Sequence, residues 1–215
     1  MKYTAISRLK GIAKSFLLVP LFIALVFAQI VLADTTETTF NQTINAGTLS
    51  VDIVDGSGDT VASPSVSFAG TTFSFDPQTA TGTLETASEK IRLSNPTATA
   101  AWNISIAATG GQSAVWDTGT YTYPYNNATA DNGRLTIDPS VATVTPVGSC
   151  TSTGVTKGSS SYFNGATTTS IDLLTASGSA DLGCRWDLTG VSLSQRIPAS
   201  QVAGSYSLAM TITAL

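Results

Sequence analysis

The chain has no histidine anywhere in its 215 residues. That absence excludes Ser-His-Asp and Cys-His nucleophilic catalysis and every histidine-based metal site. Its only cysteines, Cys150 and Cys184, are too few and too far apart for a zinc cage. Charge is also scarce: Asp, Glu, Lys and Arg make up 11% of the residues, less than half the usual share of about 25%. Carboxylate-pair hydrolysis stays formally open. The acids, however, lie mostly beside glycines in turn-like contexts, where Asp serves local hydrogen bonds. The expectation is a protein without catalytic residues, metal or cofactor.

What is there starts at the N-terminus. Lys2, Arg8, Lys10 and Lys14 lead into an almost unbroken apolar run over residues 16–32. Val31 and Ala33 occupy the two small-residue positions of a cleavage site, and the polar sequence DTTETT follows. Residues 1–33 read as a secretory signal peptide and residues 34–215 as the exported domain. The alternative is an uncleaved anchor. Against it, the run is a little short of the roughly 20 apolar residues that span a bilayer, and Pro20 would kink a spanning helix. Removing the leader takes four of ten basic residues and none of the fourteen acids, leaving a formal charge of −8 over 182 residues. Phosphate backbones and anionic lipid repel such a surface, which argues against nucleic-acid and polybasic membrane-surface roles.

In the exported part Thr, Ser, Ala and Gly take the place of charges, and apolar residues recur at every second position. Leu49, Val51 and Ile53 alternate with polar neighbours. So do Val66 and Phe68, Phe73 and Phe75, Ile91 and Leu93, and Trp102, Ile104 and Ile106. Leu135 and Ile137, Ile171 and Leu173, then Tyr206, Leu208, Met210 and Ile212 complete the series. Period two is the mark of half-buried strands. Turn residues punctuate them: Asp55-Gly56, Asn95-Pro96, Gly110-Gly111 and Asn132-Gly133. The reading is all-β, a single sandwich or jelly-roll-like domain, with Trp102, Ile104, Leu208, Met210 and Ile212 inside.

Outside the reducing cytosol an even cysteine count favours one internal disulfide, Cys150–Cys184; two free thiols or a bridge between chains are the alternatives. Asp52, Asp55 and Asp59 offer oxygens to calcium, as do Asp131, Asn132 and Asp138, but neither set has the spacing or closing Glu of a calcium loop. Turn formation explains both more simply. Tyr121, Tyr123 and Tyr125 alternate just after Trp116, so they form either a flat platform for sugar rings or one wall of the core. Pro124 among them cannot donate to a ladder, which puts that strand at an edge. Asn41, Asn103 and Asn127 open N-x-S/T triplets that matter only in a eukaryotic secretory route.

Three stretches carry a resemblance. INAGTLSV at residues 44–51 looks like an opening strand, and SNPTATAAWNISI at residues 94–106 contains Trp102-Asn103-Ile104. Residues 191–215, with Tyr206, Ile212 and Leu215, look like closing strands. In this order they resemble the WxL-domain proteins, secreted surface proteins of Gram-positive bacteria that associate non-covalently with the cell wall. The family's second Trp-x-Leu is absent, since Ile212 stands where its tryptophan would be; Trp186-Asp187-Leu188 occurs about a strand earlier. The resemblance implies a non-enzymatic protein at the cell surface or wall, with wall polysaccharide or other surface proteins as partners.

TFNQTINAGTL at residues 39–49 is similar to the start of TasA/camelysin-type proteins, jelly-roll subunits of extracellular fibres. That resemblance implies self-assembly into a fibre or surface layer, by strand donation from residues 34–44. Phe40 and Ile44 are the only apolar anchors of that segment. The plainer alternatives are an ordinary first strand or a disordered terminus.

Overall fold

The computed structural model describes residues 39–86 and 88–215. The expected signal peptide with its expected cleavage site, and residues 34–38, lie outside the described residues, and Asn45–Leu215 make one compact unit. Most of the alternating segments are strands, of which the described residues contain fourteen. They are β1 (Ser50–Asp55), β2 (Gln78–Leu84), β3 (Glu89–Asn95), β4 (Trp102–Ala108), β5 (Val115–Asp117), β6 (Thr122–Pro124) and β7 (Arg134–Asp138). Then come β8 (Thr143–Pro146), β9 (Val155–Lys157), β10 (Ser161–Tyr162), β11 (Ser170–Ala176), β12 (Cys184–Thr189), β13 (Val191–Ile197) and β14 (Met210–Ala214). Among the described residues the only helical pieces are three-residue 3₁₀ turns. The protein is an all-β, sandwich-like domain, as its period-two pattern requires.

Three four-stranded antiparallel sheets have the orders β1-β3-β12-β8, β10-β7-β13-β2 and β14-β4-β11-β9, and β5 and β6 form a separate hairpin. The first two sheets share one bent ribbon. Strand β2 runs into β3 while its partner β13 follows directly on β12. Seven positions separate Leu84 from Ile91, but only three separate their partners Val191 and Leu188. The surplus residues form a bulge, and the ribbon turns a corner there, as strands do when they pass from one sheet to another. Gly190, at a φ of +75°, lies opposite and donates its N–H to the Glu85 carbonyl.

Side chains of all three sheets meet in one core. On β4 the residues Trp102, Ile104, Ile106 and Ala108 point inward in strict alternation. Burying each of the larger ones contributes about 1.5–3 kcal/mol. Strand β3 ends at Asn95 because Pro96 offers no N–H. The buried Asn95 amide then closes the turn, donating to the Thr99 carbonyl and accepting from the Thr97 N–H. Cys150 and Cys184 are joined as a disulfide with Cα atoms 5.9 Å apart. The bridge pins the Ser/Thr-rich loop to the first residue of β12, and the Trp186 indole N–H donates to the Thr151 carbonyl beside it at 2.7 Å.

Three expectations need correction. Val66 and Phe68, expected on a half-buried strand, lie in no strand, and Phe68 makes only an isolated bridge to Gly82. Phe73 and Phe75 were placed on a half-buried strand, but their segment is not a strand and the rings stand exposed, edge-to-face on each other at 5.0 Å. Its main chain is instead tied by a Ser200 N–H to the Ser74 carbonyl and by an Asp76 N–H to Ser74 Oγ. Leu208, Met210 and Ile212 were expected inside with Trp102 and Ile104. The last two are buried, while the first three are only half-buried. The reason is positional: β14 is an edge strand, and its inward row faces a groove and is only partly covered by β1 and the β1–β2 connection.

Candidate functional site

That uncovered row is one wall of a groove of about 740 Å³. Leu208, Met210 and Ile212 form the wall on the β14 side, and Val51 and Ile53 of β1, an edge strand of another sheet, form the opposite one. The floor comes from Ile106 of β4, Leu135 and Ile137 of β7, Leu84 of β2 and Leu193 of β13. Each of these floor residues is 5% exposed or less. Val66 and Phe68 reach in from the β1–β2 connection, which is held by an isolated bridge between Phe68 and Gly82. One end is closed by aromatic rings. Phe68 meets Trp116 edge-on at 5.4 Å, Trp116 stacks on Tyr123 at 6.1 Å, and Tyr123 meets Tyr206 at 5.0 Å. The Trp116 indole N–H is held by the buried Gln195 side-chain oxygen at 2.8 Å.

Two edge strands flanking an apolar floor offer the chemistry of strand addition. Unpaired main-chain groups on an edge supply hydrogen bonds, and pockets between the walls take alternate side chains. The groove's carboxylates are Asp52, exposed on β1, and Glu85, which is 4% exposed at the ribbon corner. Desolvation, with the Glu89 carboxylate as a second cause, pushes the Glu85 pKa up to about 7.

The three tyrosines are not exposed together, and two of them are part of the core. Tyr121 is exposed, Tyr123 is buried between Trp116 and Tyr206, and Tyr125 is buried against Phe163 at 5.1 Å with its hydroxyl donating to the Gly111 carbonyl. A flat platform of all three does not exist. The edge placement inferred from Pro124 is present, since β6 pairs only with β5.

The acidic turns are spent on the main chain. Asp55 Oδ1 accepts the N–H groups of Ser57, Gly58 and Asp59, and these bonds, that of Asp59 foremost, hold its carboxyl below the usual range. Asp138 caps Ser140, and Asp131 pairs with Arg196. Among the described residues no group of three or more Cys, Asp or Glu is arranged to hold a metal ion.

Of the residues carrying the WxL resemblance, Trp102 and Ile104 are core, and Tyr206 and Ile212 line the groove. Leu215 is exposed, its main chain paired with Asn103. Sequence reasoning missed Glu85, Trp116 and the Val66–Phe68 contribution to the groove, and nothing local signals them. No family model, curated protein or solved structure matches the chain.

Proposed function

We propose that the chain is a non-enzymatic secreted protein of the cell surface, and that it works as a self-assembling subunit of a fibre or surface layer. The observation that carries this reading is the half-burial of Leu208, Met210 and Ile212 along the groove between β1 and β14. An extended segment laid along the groove against the free edge of β14 would cover the apolar row and extend that sheet. A donor is at hand in the residues just before the compact unit. Residues 39–44 are in no strand, and Phe40 and Ile44, on the same side of an extended chain, are 93% and 87% exposed. Seated in a second copy, the segment makes a head-to-tail contact that does not close on itself and propagates. Export is supported by the Cys150–Cys184 bridge, since such bonds persist in oxidising surroundings.

Attachment to wall polysaccharide is the rival reading, resting on the WxL resemblance; burial of Tyr123 and Tyr125 removes the platform it drew on. Electron microscopy and sedimentation of the secreted protein separate the two. Polymers that disappear in both Ile44→Asp (donor side) and Ile212→Asp (groove side) support assembly by strand donation. Persistent monomers of the unaltered protein that co-sediment with purified cell walls would replace it with the rival.

A further inference from the structure

Glu85 occupies an unusual place. It begins the bulge at which the ribbon turns from one sheet to the next, and its φ of +59° lies in the left-handed region that non-glycine residues rarely adopt. Glu85 lines two cavities: the groove, and a second of about 630 Å³ bounded by Ser65, Glu89 and Ser192. Among the described residues the charged ones lining the two are Asp52 of β1, Glu85 and Glu89 of β3, with no Lys or Arg. Tyr206 is the other titratable group on the groove. Cations nearby are already engaged, since Lys90 and Arg92 of β3 both reach Asp187. Asp138, on the strand paired with Ser192, is bound to Ser140.

We propose that filling the groove is coupled to protonation of Glu85, so that acid strengthens assembly and alkali weakens it. This rests on the strand-accepting reading of the groove. In the free chain Glu85 is 4% exposed, and the little solvent access its carboxylate keeps comes from the two cavities it lines. An inserted strand such as residues 39–44, which carries no cation, removes that access and supplies no counter-charge. The neutral acid is therefore favoured in the filled state. Burial and Glu89 already hold the pKa near 7 in the open chain, so the further rise on filling falls in the neutral-to-alkaline range. Below that pH both states are protonated and assembly is insensitive. Above it each contact takes up a proton, and the association constant falls by at most about tenfold per pH unit.

The test is the critical concentration for polymerisation of the secreted protein from pH 5.5 to 8.5 at fixed ionic strength, for the unaltered chain, Glu85→Gln and Glu89→Gln. We expect it to rise about tenfold across that range in the unaltered chain and to stay low and flat in Glu85→Gln. Glu89→Gln should keep the dependence but begin it at lower pH, because losing that carboxylate lowers the open-chain pKa of Glu85. Equal pH dependence in the unaltered chain and Glu85→Gln, or none in the unaltered chain, overturns this inference and leaves the groove reading standing. Absence of polymer in every variant at every pH overturns both. Proton uptake on polymerisation of the unaltered chain in weak buffer gives a readout independent of the variants; zero uptake at pH 8 also overturns the inference.

Discussion

Trp102 of β4 and Trp186 of β12 meet in the core with ring centroids 5.1 Å apart, tilted at 44°. They belong to different sheets, and each opens a Trp-x-apolar triplet, Trp102-Asn103-Ile104 and Trp186-Asp187-Leu188. The triplet that stands too early in the sequence for the WxL pattern is thus the packing partner of the first. Removing either ring opens a void that flanking strands cannot close. Trp102→Ala should cost about 3–5 kcal/mol, read as a lower denaturation midpoint with an unchanged slope.

The Cys150–Cys184 bridge closes a loop across a sequence separation of 34. Loss of both cysteines should cost about 3–4 kcal/mol on a chain-entropy account. It should also loosen the Thr151 carbonyl that accepts from Trp186. Peptide mapping without reductant should recover the two cysteines as one linked species, and melting with and without reductant should show the loss.

Arg92 grips the buried Asp187 with two bonds, of 2.7 and 2.9 Å, and Lys90 stands 3.8 Å away. The carboxylate raises the Arg92 pKa, keeping the guanidinium charged. Arg92→Met strands a buried carboxylate and should cost about 3–5 kcal/mol, whereas the double change with Asp187→Leu should recover much of that loss. A double-mutant cycle by urea unfolding checks both values.

Glu85 should also write a pH signature on stability. Its carboxyl ionises near pH 7 when folded and near 4.5 in an unfolded chain, so the folded state holds the proton more tightly. Stability from this group is fully present below about pH 4.5, falls as pH rises through the interval and is lost above about 7. Melting temperatures of Glu85→Gln minus those of the unaltered chain should therefore climb between these values. A difference that stays level would refute the assigned ionisation.

Alternation, turn residues and a pair of cysteines are local signals, and they carried a great deal. Ile91, Leu93, Trp102, Ile104 and Ile106 lie on the buried faces their spacing predicted, Asn95-Pro96 ends a strand, and the cysteines are bridged. Period two states which side of a strand faces inward, because successive side chains leave the pleat on opposite faces. It does not state what lies over that side. Met210 and Ile212 repeat as strictly as Ile104 and Ile106, yet only the latter pair is buried. The difference is that β4 sits between two strands of its sheet while β14 ends it. In the same way Tyr121, Tyr123 and Tyr125 share a period but were separated by the ring cluster around Trp116. The burial of Glu85 followed from a ribbon corner whose two sides lie far apart in the chain. The sequence by itself determined the strands and their faces; long-range pairing alone decided which faces were covered and which were left as a groove.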